Sequence, residues 1–358
     1  MWPNRRLIDL LSIEHPIIQA PMAGAMDWEL AAAVSQAGGL GCLPCGMSNP
    51  EQVREQFGKV RAHTAAPVAL NFFCHAAPAL SNAREVGWRD RLLPYYRELG
   101  VDPAAPVPSS NRAPFSAAAL DMVLELEPGV VSFHYGLPEA SMVSCLQASG
   151  CRILCSATTV AEAQALEAQG VDAVIAQGLE AGGHRGMFLS TDLASQVGTF
   201  ALVPQIVDAV KVPVIAAGGI ADARGIAAAF ALGAAGVQLG SAYLLCPEAK
   251  ISAPHRAALS SVRDDSTVLT NVISGRPARS IANRLIREVG PISPAAPDFP
   301  LAAGALIPLR AAAEKQGSGD FSPLWAGQAA ALGRAMPAAE LTKKLAAETL
   351  ERLQNLAG

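Results

Sequence analysis

The sequence predicts an α/β protein, a (β/α)8 TIM barrel with an added C-terminal helical subdomain. Three observations lead there. Eight short apolar runs recur along the first 240 or so residues, at 16–20, 40–43, 67–71, 130–134, 152–156, 173–176, 214–217 and 236–239. They are continuous rather than alternating, as expected of parallel strands buried on both faces. Alanine-rich helical stretches separate most of them, at 28–36, 50–61, 141–148, 161–169 and 223–232. Several of these stretches stop at a glycine, as at Gly38-Gly39, Gly170 and Gly233, where a glycine just past the helix end releases the chain into the next strand. Eight such units match a closed barrel. An open, doubly wound sheet is the runner-up.

Two segments break the repeat. Residues from about 76 to 128 form a long insertion between the third and fourth strands, with Trp88, Tyr95, Tyr96 and the proline-rich loop from Asp102 to Ser110. A loop of that kind reads as a surface lid or a subdomain. The division expected is therefore a barrel over 1–247, insertion included, and a subdomain of helices and loops over 248–358 that closes the active-site face. The tail ends in an amphipathic helix from Pro337 to Leu356, and the four prolines of 291–300 predict an extended linker.

Composition removes several function classes. The net charge is −4 with no basic block, which argues against nucleic acid as a partner. Charged residues make up 16%, below the roughly 25% usual for soluble domains, yet no apolar run approaches the about 20 residues of a membrane span. Asp9 and Glu14 stand where a signal peptide needs an apolar core, so a cytoplasmic protein is expected. Seven cysteines, an odd number, fit reduced thiols. Cys42 and Cys45 form a CxxC without a second pair to complete a zinc site, and are read as two ordinary thiols; no metal is expected. The alanine-rich helical exterior is compatible with a homodimer.

In a barrel the chemistry gathers at the C-terminal ends of the strands. Those ends carry Met22 and Gly24, Asn71, His134, Gln177 with the loop Gly178–Gly186, Gly218-Gly219, and Gln238 with Gly240-Ser241. The inventory is amides, glycines and two histidines, with few acids. That suits a flavin: Asn71 and Gln177 offer neutral hydrogen-bond partners to its ring, and the glycine pairs on the last two strands offer N–H groups to a phosphate. One such cradle takes one phosphate, which favours FMN over FAD. His184, flanked by Gly183 and Arg185 just beyond a strand, is no core position and can exchange protons near neutrality. His15 and His75 are read as structural or solvent-facing, Trp325 as core or flavin wall, and Glu180 as a partner in a local ion pair.

The residues Pro21-Met22-Ala-Gly24, Asn71–Cys74, Ser132–Gly136, Gln177–Gly186, Ala217–Ile220, Gln238–Gly240, Ser274–Arg279, Asn283-Arg284 and Trp325–Gln328 resemble those of nitronate monooxygenases, formerly 2-nitropropane dioxygenases. The likeness runs from about residue 7 to 330, and the Gly-His-Arg-Gly loop resembles the first class of these enzymes. It implies non-covalent FMN and oxidation of alkyl nitronates by O2 to carbonyl compounds and nitrite. It implies His184 as the catalytic base and His134 as a second wall of the substrate pocket. Flavin contacts would come from Met22, Asn71, Gln177, Gly182, Gly183, Gly218, Gly219, Gln238, Gly240, Ser241 and Gln328. A nitronate already carries the carbanion's electrons, so the protein's task is arrangement and electrostatics.

The chain departs from that family at one stretch. Where many members carry two tyrosines and a lysine, this sequence has Phe299, Ala303 and Ile307. The loss predicts a larger, more apolar pocket and a bulkier or more hydrophobic substrate, or a different electron donor. Two rival functions follow: an NAD(P)H-dependent flavin reductase of quinones or enoyl thioesters on the same scaffold, and a flavin-binding protein without turnover, against which His184 argues.

Overall fold

The computed structural model describes residues 1–78, 81–108 and 112–357; Ser109 and Ser110 of the proline-rich loop lie outside them. All eight expected strands form. They are β1 (Ile17–Gln19), β2 (Gly41–Pro44), β3 (Val68–Phe73), β4 (Gly129–His134), β5 (Arg152–Ala157), β6 (Ala173–Gln177), then, after a two-residue strand β7 (Gly183–His184) outside the barrel, β8 (Val214–Ala217) and β9 (Gly236–Leu239). The parallel order is β1-β9-β8-β6-β5-β4-β3-β2. The ring closes where Leu40 bridges β1: its N–H donates to Ile17 O and its carbonyl accepts from Gln19 N, both at 2.9 Å.

Both faces of each strand are buried, which explains the continuous apolar runs. Ile18, Ala69, Val130, Leu154, Ile175 and Ile215 fill one end of the barrel, and Leu7 and Leu11 of α1 (Arg6–Leu11) plug it. The alternate positions, such as Ile17, Leu70, Val131 and Val174, meet the surrounding helices. Those helices are α2 (Trp28–Gln36) and α3 (Pro50–His63), then, past α4 (Asn82–Glu98), α5 (Ala117–Leu126), α6 (Ala140–Ala148), α7 (Val160–Ala168), α8 (Thr199–Ala209) and α9 (Ala223–Ala231). α8 is a helix that the sequence pattern does not reveal, because Pro204 interrupts it.

The tail departs from expectation in its strands, its linker and its last helix. It is not helices and loops throughout: β10 (Thr267–Thr270) and β11 (Ala278–Ile281) pair antiparallel, and β11 continues onto β7. Both strands are only four residues long, too short for periodicity to announce. The helices α10 (Ala253–Ser260), α11 (Arg284–Val289) and α12 (Ile307–Lys315) surround them, and 291–300 is a run of turns rather than an extended linker. The last helix, α13 (Ala338–Ala357), returns to the barrel. It packs between α9 and α2, with Leu341 and Leu345 in the main core and Thr342 Oγ1 bonded to Tyr243 OH at 2.9 Å. It takes the place of the eighth barrel helix, so a division at 247 severs the barrel from its own closing helix.

The insertion helix α4 belongs with the tail. Trp88, Leu92 and Tyr96 share a second core with Leu285, Ile286, Leu306, Leu309 and Phe321. Trp88 Nε1 donates to Ala302 O at 3.1 Å and Tyr96 OH to Ala305 O at 2.5 Å, so neither buried polar atom is left wanting. This second lobe leans over the C-terminal ends of the strands.

Candidate active site

The strand ends open into one cavity, and its most constrained wall is the loop after β6. Gln177, the last residue of β6, folds its side chain back over that loop. Its Oε1 accepts from Gly186 N at 2.8 Å and its Nε2 donates to His184 O at 3.0 Å. Arg185 turns inward and is fully buried. Its guanidinium donates to Gln177 O, Gly178 O and Gln196 Oε1 at 2.7–2.9 Å. A side chain at Gly186 is excluded by close approach, since a Cβ there would lie 2.7 Å from Ser156 Oγ. On its other edge the loop is β7, paired to β11 through His184–Ala278 and Gly183–Arg279. The backbone of His184 is therefore held from both sides.

The imidazole of His184 reaches Ser274, with Nε2 2.8 Å from Oγ. Ser274 Oγ in turn approaches Arg276 O at 3.4 Å; with the hydroxyl proton on that carbonyl, Nε2–H donates to Oγ. Nδ1 is left with its lone pair and has no partner among the described residues. Burial, then the nearby charge of Arg112, then His134, Arg276 and His75, hold the His184 pKa well below the usual imidazole value. The ring is neutral at pH 7, with one basic nitrogen uncommitted.

His134 is built differently. Its Nε2 is 3.2 Å from His184 O and its Nδ1 2.6 Å from Ser156 Oγ. The carbonyl fixes the tautomer, so Nε2 donates and Nδ1 accepts. Burial first, and Arg276 second, lower its pKa to about 3. With both nitrogens engaged, His134 braces the His184 loop and offers the cavity only its ring.

Of the residues singled out in the sequence, Met22, Asn71, His134, Gln177, Gly182, Gly183, His184, Gly218, Gly219, Gln238, Gly240 and Ser241 all line this cavity. Asn71 spends its Nδ2 on Ser132 O and Oγ, which leaves Oδ1 as an acceptor. Gln238 keeps its whole carboxamide free of partners among the described residues. The N–H groups of Gly218, Gly219, Gly240 and Ser241 likewise find no acceptor among those residues. Gly218 sits at φ +109°, and a Cβ there would come within 3.0 Å of Ala181 N; only glycine reaches that conformation without strain. Four open N–H groups on neighbouring strands form a cradle suited to a phosphate.

Gln328 does not join them. Ser241 Oγ accepts from Gly327 N at 2.8 Å and Glu180 O accepts from Gln328 N at 3.0 Å, and that backbone anchoring turns the Gln328 side chain out to solvent. Glu180 forms no ion pair among the described residues; its carboxylate accepts from Thr199 N and Oγ1 at the start of α8. Cys42 and Cys45 are separate buried thiols, and burial pushes the Cys42 pKa up to about 12.

The altered stretch divides. Phe299 is buried with its ring 5.3 Å from that of His184 and 4.9 Å from that of His75. Ile307 is 42% exposed and does not line the cavity. Arg112 and Arg310 also line the cavity, and no Asp or Glu does among the described residues. Arg112 comes from the insertion, where no motif marks it, and Arg310 from α12. Trp325 also lines the cavity, its ring 5.2 Å from His184. No group of three or more His, Cys, Asp or Glu among the described residues could hold a metal ion, and no described helix is long and apolar enough to cross a membrane.

Comparison with known proteins agrees with this geometry. The family model described as nitronate monooxygenase matches residues 4–348. A nitronate monooxygenase of Pseudomonas aeruginosa is 45% identical over 345 residues, covering 96% of this chain and 98% of that one. The structure of nitroalkane oxidase from Streptomyces ansochromogenes superposes with a TM-score of 0.89 at 38% identity, over 98% of this chain and 99% of that one. FabK from Thermotoga maritima is similar at lower identity, 28%, with a TM-score of 0.76 over 100% of this chain and 99% of the other. By sequence and by fold, the chain belongs to the nitronate monooxygenase family of oxidoreductases.

Proposed function

We propose that this protein binds FMN and uses it to oxidise alkyl nitronates with O2 to carbonyl compounds and nitrite. The observation that carries the reading is the pairing, in one cavity, of a cradle of open N–H groups with a neutral histidine whose Nδ1 is free. Gly218, Gly219, Gly240 and Ser241 would hold the phosphate. Asn71 Oδ1 and the Gln238 carboxamide would meet the ring, with Met22, Gly182 and Gly183 against its faces and edges. Gln177 supports the site through the loop, its polar atoms being engaged there. When bound, FMN accepts the electrons that the nitronate releases and passes them to oxygen.

The protein's own residues position and deprotonate. His184 Nδ1 takes the α-proton of a neutral nitroalkane, and the Nδ1–H so formed donates a hydrogen bond to the nitronate. Ser274 holds the opposite nitrogen as N–H, which keeps the basic atom toward the substrate. Trp325 and Phe299 flank the imidazole and keep water from its sides. His134 acts at one remove, by holding the His184 carbonyl.

The similarity to FabK keeps a nicotinamide-dependent reductase in view, but the greater identity to nitronate monooxygenases favours the oxygenase. Purified protein is expected to release FMN on denaturation and to form nitrite with O2 uptake when given a nitronate. Release of FMN without nitrite from any nitronate, short or bulky, would overturn the reading.

A further inference from the structure

The cavity holds a cation that this mechanism leaves without a role. Arg112 lines it, and its guanidinium donates to no acceptor among the described residues. The Cζ lies 5.8 Å from the centroid of Phe299, within range for a cation–π contact that orients the guanidinium plane. Phe299 is the ring packed against His184 at 5.3 Å. The guanidinium therefore stands one ring away from the free Nδ1.

The neighbouring cations each have a partner. Arg310 Nε donates to Glu314 at 2.9 Å. Arg276 lies 4.0 Å over the Tyr135 ring and donates to Met187 O. Nor is Arg112 placed to serve the phosphate cradle. Phe299, on which it rests, packs on Phe73 at the end of β3 and on Tyr135 just after β4. Those strands stand across the ring from β8 and β9. A guanidinium in a cavity with no carboxylate on its described lining calls for an anion from outside, and its fork of donors matches a pair of oxygens on one atom.

We propose that Arg112 is a specificity-determining residue that binds the two nitronate oxygens and selects the ionised nitronate over the neutral nitroalkane. The proposal rests on the nitronate-oxidising reading above. Phe299 is part of the arrangement, since its ring shelves the guanidinium and competes for none of its donors.

The test compares wild type with Arg112→Met and Arg112→Lys, using propane-2-nitronate and 2-nitropropane as a pair that share a skeleton and differ in charge. Losing a charge-assisted contact is expected to raise KM for the nitronate on the order of 10- to 100-fold. kcat for the nitronate, KM for the neutral compound and flavin absorbance per subunit stay near wild type, and Arg112→Lys recovers part of the loss. An unchanged KM for the nitronate in Arg112→Met overturns the proposal. So does an equal loss on both compounds, or a loss of flavin, since either marks a structural role. A wild-type protein inert toward every nitronate overturns the functional reading and this proposal with it, before any variant is made.

Discussion

The two sides of the cavity are built on opposite plans. On the β8–β9 side the protein leaves backbone N–H groups open and forbids side chains, as at Gly218 with its φ of +109°. On the β3–β4–β6 side nearly every polar group is already spent inside the protein: His134 on Ser156 and His184 O, Gln177 on the loop, Arg185 on three acceptors. Apart from Asn71 Oδ1, which would meet the ring, what stays open there among the described residues is Nδ1 of His184 and the guanidinium of Arg112. The first side recognises a group common to every turnover and depends on backbone shape. The second meets the part that changes, and presents two side chains on a rigid frame. Substitutions on the two sides should therefore fail in different ways.

The largest effect is expected from His184→Ala. Removing the base should lower kcat/KM for a neutral nitroalkane about 10²- to 10⁴-fold. The nitronate, whose proton is already gone, should lose about tenfold at most. Steady-state kinetics with both compounds checks this, and equal losses would remove His184 from the role of base. The pH profile carries the same claim. A base with its pKa held below the ordinary 6.5 stays unprotonated as pH falls through that value. In wild type, kcat/KM for the neutral compound should thus remain level from pH 8 to 6.5, with its acid limb lower still. A limb centred at or above 6.5 would contradict the environment described for this ring.

A smaller, separate effect is expected across the cavity. Gly218→Val forces a β-branched residue into the left-handed region at a strain of order 1–3 kcal/mol, with its Cβ against Ala181 N. FMN affinity should fall on the order of 10- to 100-fold, read by fluorescence of released flavin, while the substrate selectivity of the flavin-loaded fraction stays unchanged. A shift in selectivity would show that the two sides are not independent. Smallest of all, Phe299→Tyr places a hydroxyl among His75, Tyr135 and His184. The buried His75 Nδ1 and Tyr135 OH have no partner among the described residues. One added neutral hydrogen bond should change KM for a short nitronate by about 2- to 10-fold. No change in KM would mean that the ring's edge does not reach the substrate.

Much of this was legible in the sequence because it is written locally. Strands buried on both faces leave continuous apolar runs, and glycines at strand ends mark places where backbone must come close. His184 stood out because it lies between a glycine and an arginine beyond a strand, where no core residue belongs. What escaped is non-local. The pairing of Gly183–His184 with Ala278-Arg279 joins segments almost a hundred residues apart through a strand too short to show a period. The return of α13 to the barrel depends on its fit between α2 and α9, not on its own pattern. Arg112 sits in a proline-rich insertion with no motif, and only the fold brings it to Phe299. Gln328 misled in the opposite sense. Its neighbours Gly327 and Ala329 do line the cavity, but backbone anchoring points its own side chain away. Arg185 shows in the sequence only as part of the Gly-His-Arg-Gly loop, because a buried arginine that bonds carbonyls leaves no sign in composition.

The central claim is that this cavity oxidises nitronates through a bound flavin, and an anaerobic spectrophotometric titration tests it most directly. Purified, flavin-loaded protein is mixed without oxygen with a panel of nitronates, and separately with NADH and NADPH. The account predicts that nitronates change the flavin absorbance, that admitting air restores it with release of nitrite, and that the nicotinamides leave it unchanged. Rapid bleaching by NADH or NADPH, with no response to any nitronate, would contradict the account and make the protein a reductase on the same barrel.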